Sequence, residues 1–316
     1  MFVGKKLVHW IAIVLFIAGL ALLGLGMFSS NPASGKSKQE VSERIPAPSA
    51  TYMSAQTSKT PTTPHGYSTF TYTDAGGMKM TYYLYIPDHY NPHMKYPLLL
   101  MLHGGGEVAK TNATPQQNSE VLLKQFYVQT WISSGIQEKW PSFILVPQVT
   151  APNRWVNVPA STGSYTLAPQ PSNSLRMAKE ILDMLQLQYT GIDPTRLYVT
   201  GLSMGGYGTW EAVERWPNYF AAAVPLSGAG DPSQAALLVH QPIWAFHGAK
   251  DTTVPVSGSR DMIAAITAAG GHPLYTEYPN AGHGLWGPGQ VYDPKADPAF
   301  FAWLFSQKLL QSRKRS

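Results

Sequence analysis

Cysteine is absent from the 316-residue chain. That removes disulfides, thiolate nucleophiles, cysteine-based zinc sites and acylation through cysteine from the range of functions. Charge is sparse, at 13% of residues, and internal repeats are absent at any period. The excess of 23 Lys and Arg over 18 Asp and Glu is not spread along the chain. Six cations against two anions fall in residues 1–66, and four cations fall in residues 308–316. Residues 67–307 are left with 13 cations and 16 anions, a mildly acidic body that is a poor electrostatic partner for phosphate backbones. No nucleic-acid partner is expected. The 44% of hydrophobic and 12% of aromatic residues are instead those of a chain that buries a large core.

Residues 7–28 contain no acidic or basic side chain other than His9. As a helix they span about 33 Å, enough to cross a hydrocarbon layer. Lys5 and Lys6 precede the run, so the following chain is expected outside the cytoplasm, either membrane-anchored or secreted after cleavage of a signal peptide. From Ser29 to Gly66 the texture changes, with 18 of 38 residues being Ser, Thr or Pro. Such a stretch cannot bury enough apolar surface to offset its ordering entropy and reads as a flexible linker. The expected organisation is a membrane anchor or signal peptide over 1–28, a linker over 29–66, one folded domain over 67–310 and a basic tail over 311–316.

Within 67–310, short apolar runs alternate with helical periodicity. Met78–Ile86 alternates and stops at Pro87, as an antiparallel entry strand would. Pro97–Leu102 and Phe143–Val146 are continuous apolar runs, suited to strands buried on both faces of a parallel sheet. Leu175, Ala178, Leu182, Leu185 and Tyr189 lie on one helical face, with Ser172–Ser174 as candidate caps and Gly191 and Pro194 as stops. Arg196–Thr200, Ala221–Leu226, Ile243–Phe246 and Leu274–Tyr278 add strands, and helices are expected near 204–216, 256–269 and 298–310. The alternation predicts an α/β domain with a mostly parallel, doubly wound sheet.

Chemistry-bearing residues gather where those strands end. Gly201-Leu202-Ser203-Met204-Gly205 fits G-x-S-x-G between an apolar strand and a helical pattern, the context of a nucleophile elbow. A serine hydroxyl needs a base, and the base needs an orienting carboxylate, in the chain order Ser, acid, His. His283, in a glycine-flanked loop before the last helix, is the candidate base, with His272 as its nearest competitor. Asp251 follows the strand ending at Phe246 and is the candidate acid, with Asp231, Asp261 and Asp293 as alternatives. Two backbone N–H groups are needed to meet the negative oxygen of a tetrahedral intermediate. Met204 is one candidate; Gly105 is the other, with Gly104 and Gly106 of the same loop left open. That glycine loop lacks the Lys and Ser/Thr that a phosphate-binding loop requires. Gln148, Trp155 and Trp286 are candidate substrate contacts, and the Pro-, Ser- and Thr-rich segment 147–173 is expected to shape the cleft.

The runs RLYVTGLSMGGYGTWEAVERWPNYFAAAVPLSGAGDP, PIWAFHGAKDTTVPV and TEYPNAGHGLW, in that order, resemble secreted esterases of the α/β-hydrolase superfamily. The nearest groups are the polyhydroxybutyrate-depolymerase-like and prolyl-oligopeptidase-like families. The resemblance covers about residues 78–310 and implies an α/β-hydrolase fold with Ser203, Asp251 and His283 as triad. It also implies hydrolysis of carboxylic esters without metal or cofactor, with a serine peptidase as the alternative. Gly284 stands where relatives often carry Asp, and Val149 where they often carry Cys.

Overall fold

The structure is a computed structural model, and it describes residues 65–309. The apolar span 7–28, nearly all of the linker and the basic tail lie outside the described residues. Among the described residues no helix is long and apolar enough to cross a membrane.

Among the described residues, eight strands form one sheet in the order β1-β2-β4-β3-β5-β6-β7-β8. They are β1 (Ser68–Thr73), β2 (Lys79–Tyr85), β3 (Tyr96–Leu102), β4 (Phe143–Gln148), β5 (Ile192–Leu202), β6 (Ala222–Leu226), β7 (Trp244–Gly248) and β8 (Leu274–Tyr278). β1 and β2 pair antiparallel, as do β2 and β4; every other pairing, from β4 through β3 to β8, is parallel. The expected entry strand is therefore present as β2, although β1, which precedes it, has no counterpart among the sequence expectations. The helices are α1 (Pro115–Leu123), α2 (Phe126–Gln129), α3 (Ser134–Gln137), α4 (Asn173–Gln188), α5 (Met204–Arg215), α6 (Ser257–Ala268) and α7 (Pro298–Ser306).

The pleat of β3 shows why the apolar strands are continuous rather than alternating. Leu98, Leu100 and Leu102 face a cluster containing Leu175, Ile181 and Leu182 of α4, Trp210 and Val213 of α5, and Met262 of α6. Leu99 and Met101 face the opposite cluster, with Tyr127 of α2, Ile136 of α3 and Phe300, Phe301 and Leu304 of α7. With period-2 side chains, a strand covered by helices on both faces has no polar side to show. β3 is accordingly buried at all seven positions.

This topology fixes where a site can form. From β3 the sheet grows one way to β4, then the chain returns to the other side as β5. At that reversal the loops after β3 and β5 diverge to opposite faces and leave a crevice at the carboxyl ends of the strands.

Candidate active site

Ser203 sits between the last residue of β5 and the first of α5 with φ 53° and ψ −119°. A non-glycine residue held at positive φ stores of the order of 1–3 kcal/mol of strain. The turn is over-determined by hydrogen bonds, from Ser203 N–H to Leu226 C=O at 2.9 Å and from Tyr207 N–H to Ser203 C=O at 3.1 Å. Close backbone approach makes small neighbours obligatory. A Cβ on Gly201 would lie 2.4 Å from Gly205 O, and one on Gly205 would lie 2.0 Å from Leu102 O.

His283 and Asp251 lie in the loops after β8 and β7, at the same edge of the sheet as Ser203. His283 Nε2 is 2.8 Å from Ser203 Oγ, and His283 Nδ1 is 2.7 Å from Asp251 Oδ2. A carboxylate only accepts, so Nδ1 carries the proton toward Asp251 and leaves Nε2 free to accept from the Ser203 hydroxyl. The Asp251 side chain is wholly buried while His283 keeps about a fifth of its side-chain surface open (22%). Burial pushes the Asp251 carboxyl upward, but hydrogen bonds from His283 and from the Val254 and Thr253 amides outweigh it and hold the carboxyl below its ordinary value.

A second imidazole adjoins the same carboxylate. His247, the fourth residue of β7, is fully buried, with Nε2 at 3.1 Å from Val254 O and 3.3 Å from Asp251 Oδ2. Both neighbours are acceptors, so Nε2 is the protonated nitrogen, and Nδ1 lies 2.8 Å from Ser259 Oγ. Burial holds the pKa of His247 below the usual histidine value, which keeps the ring neutral. Sequence reasoning passed over His247 as part of the spacer before Asp251.

The competitors are occupied elsewhere. Asp231 accepts from the amides of Leu167 and Ser233, Asp261 accepts from Ser164, and Asp293 accepts from the amides of Gly289 and Lys295. His272 is exposed in the turn between α6 and β8.

A cleft of about 350 Å³ opens beside the serine, lined by Gly105, Ser203 and Met204 and by residues of the 151–160 stretch. Met204 is the first residue of α5, where an amide has no partner inside the helix. Gly105 is exposed, and a Cβ there would meet nothing, so its backbone borders open space; Gly104 is buried. The loop holding Gly105 is fastened by His103, whose Nδ1 donates to Gly104 O at 2.6 Å and whose Nε2 accepts from Val149 N–H at 3.0 Å. Burial pushes His103 down to about 4, and the Gly104 carbonyl only partly opposes that shift.

Two of the expected substrate contacts are corrected by their surroundings. Trp155 is fully buried, with Nε1 donating to His103 O at 3.0 Å and its ring edge-on to His103. Gln148 is also buried; it accepts from Tyr83 and donates to Glu107 O and Asn118 O, each at 2.9 Å. Neither side chain borders the cleft; both brace the 103–107 loop. Trp286 is partly exposed and stands edge-to-face against His283, with ring centroids 5.2 Å apart. The segment 147–173 does contribute cleft wall, through Ala151–Arg154, Val156, Val158 and Ala160. Its far end is tied back by the Tyr207 hydroxyl, which reaches Ala160 O and Thr162 O. Among the described residues no group of three or more His, Cys, Asp or Glu is arranged to hold a metal ion.

The model of the Esterase family, described as "Putative esterase", matches residues 73–314. A solved thermostable esterase is similar at 34% identity and a TM-score of 0.64, over 77% of this chain and 63% of that one. An acylaminoacyl peptidase from Pyrococcus horikoshii, at 14% identity and a TM-score of 0.56 over 79% of this chain and 43% of its own, shares the fold. Among curated proteins, the bifunctional acetylxylan esterase/xylanase XynS20E of Neocallimastix patriciarum is 29% identical over 136 residues. The match covers 40% of this chain and 20% of that protein, so the chain spans a fifth of the length of this curated relative.

Proposed function

Since the chain belongs to the Esterase family, whose model matches residues 73–314, we propose that it is a serine hydrolase cleaving carboxylic esters through an acyl-enzyme. The observation that carries this reading is the unbroken hydrogen-bonded series Ser203–His283–Asp251 opening onto a cleft.

In this mechanism Ser203 Oγ attacks the ester carbonyl while His283 Nε2 takes its proton. Asp251 holds the imidazole in the tautomer that leaves Nε2 free and stabilises the imidazolium that forms. The amides of Met204 and Gly105 receive the oxyanion of the tetrahedral intermediate. His283 then protonates the departing alcohol. A water deprotonated by the same imidazole attacks the acyl-serine, and collapse of the second intermediate returns Ser203 its proton. No metal or cofactor enters the scheme.

We assign residues 7–28 the role of membrane anchor or export signal, so the hydrolase acts outside the cytoplasm on ester substrates. Its apolar length and the preceding Lys5 and Lys6 support that assignment. Fractionation of cells expressing the full chain tests it, and a product wholly in the cytoplasmic fraction refutes it.

The test of the chemistry is hydrolysis of 4-nitrophenyl acetate and butyrate by the full chain, with and without Ser203→Ala. Loss of kcat by about 10⁶-fold in the variant is expected, the size of effect seen when subtilisin loses its nucleophile. A fluorophosphonate probe should label Ser203 in the unaltered chain. Undiminished hydrolysis by Ser203→Ala overturns the assignment. Faster turnover of peptide amides than of matched esters moves the reading to a peptidase.

A further inference from the structure

Five arginines fall among the described residues, and four of them meet a carboxylate. Arg176 pairs with Asp74 and Glu180, Arg196 with Asp193, Arg215 with Glu211 and Arg260 with Glu277. Arg154 is the exception, with no carboxylate partner among the described residues. It is also the one that borders the cleft beside Ser203, where it is the only permanently charged side chain among the described lining residues.

Its surroundings hold it there. Arg154 lies between Asn153, whose amide donates to Thr150 O, and Trp155, which is pegged into the core through His103 and accepts from Ser172 Oγ at its carbonyl. One guanidinium nitrogen, Nη1, donates to Val158 O at 3.3 Å across the turn. A guanidinium has five N–H donors in a planar fork, and this bond takes one of them on an exposed side chain. The same cleft is lined by apolar side chains, Val108, Val156 and Met204 among them. A cleft lined by apolar side chains, by Ser203 and by one guanidinium with no carboxylate partner among the described residues matches an ester with an apolar body and an anionic end.

Resting on the hydrolase reading above, we infer that the substrate is an ester that carries a carboxylate away from the scissile bond, and that Arg154 selects it. Arg154 binds the substrate's charge and takes no part in proton transfer. The carboxylate belongs either to the acyl portion or to the alcohol, and the test has an arm for each.

Two matched pairs of esters are assayed with the full chain: 4-nitrophenyl butyrate against mono-4-nitrophenyl glutarate, and phenyl acetate against 4-acetoxybenzoate. The readout is the ratio of kcat/KM for the charged ester to that for the neutral one. In at least one pair this ratio should fall about fivefold in Arg154→Gln, fall further in Arg154→Glu, and be largely kept in Arg154→Lys. For the unaltered chain the same ratio should fall as ionic strength rises from about 0.01 M to 1 M, because the Debye length shrinks from about 30 Å to 3 Å. A ratio that is indifferent to the charge at position 154 in both pairs overturns the inference. That failure is separate from failure of the hydrolase reading, which would show as ester turnover indifferent to Ser203→Ala.

Discussion

Asp251 divides its two oxygens between different tasks. Oδ1 accepts the amides of Thr253 and Val254, which fixes the carboxylate plane, and Oδ2 faces His283 with His247 beside it. Replacing Asp251 with Asn puts an amide NH₂ where an acceptor is required, or turns the amide and breaks the loop bonds. Asp251→Asn is expected to lower kcat on 4-nitrophenyl butyrate about 10⁴-fold, the loss recorded for the equivalent change in the serine-protease case. Steady-state kinetics on the purified variant measures it, and a loss below tenfold removes Asp251 from the proposed machinery. At this scale the sequence is legible where chemistry dictates order and small neighbours: Ser203, Asp251 and His283, singled out by spacing, are the side chains the fold brings within hydrogen-bonding distance. It was misleading at Gln148 and Trp155, because whether a side chain near a strand end points to the cleft or into the core depends on residues far away in the chain. His247 went unread for the same reason: its three neighbours meet only once α6 and the 251–254 turn fold over β7.

Among the elements, the stretch 149–172 between β4 and α4 illustrates how an irregular run is tied down without regular secondary structure. Trp155 plugs into the core, Asp231 accepts the Leu167 amide and Tyr207 reaches two carbonyls of the 160–162 turn. Trp155→Phe deletes the donor to His103 O and leaves that buried carbonyl short of a partner, at a cost of about 1–3 kcal/mol. Because His103 anchors the Gly105 loop, kcat should fall more than KM changes, and thermal unfolding with parallel kinetics checks both. Equal stability and equal kcat would mean that the indole bond is idle. The long elements were legible, since α4 through α7 and seven of the eight strands announce themselves by periodicity or apolar runs. The helices α1, α2 and α3 do not: α2 and α3 are single turns of four residues, and nine-residue α1 (PQQNSEVLL) carries apolar side chains only at its end, whereas equally long α7 is apolar almost throughout. The Thr114–Gln117 capping box and Pro115 at the first helical position are the local cues at α1.

For the whole molecule, the buried titratable groups set opposing pH limits on stability. Glu214 is buried, with Oε1 accepting from the Asp231 amide and Oε2 without a hydrogen-bond partner among the described residues. Burial, reinforced by Glu211 and Asp231, drives its carboxyl well above the ordinary value against the pull of that amide. A raised carboxyl contributes stability that is complete below the unfolded value of about 4.3 and is lost as pH climbs toward the folded one. Glu214→Gln removes that titration, so the variant's melting temperature relative to the unaltered chain should rise between pH 5 and pH 8. A difference independent of pH contradicts this account. His103 and His247 act in the other direction. Burial lowers both, so below about pH 6.5 the unfolded chain takes up protons that the folded one refuses, and stability falls toward pH 4. Conversion of His103 to a non-titrating residue should flatten that acid limb in a series of thermal melts.

The packing around residues 201 and 205 has an evolutionary corollary. Where most of the interior is side chain against side chain, here main chain rests directly on main chain, with only 2.0 Å between an added carbon on residue 205 and the carbonyl of residue 102. Compensating substitutions, the ordinary way for a protein interior to drift, have nothing to exchange at such a junction. Substitution at the exposed position 154 meets no such junction, so Arg154→Gln should leave the melting temperature nearly unchanged where Gly205→Ala lowers it steeply, and thermal melts of the two variants compare them.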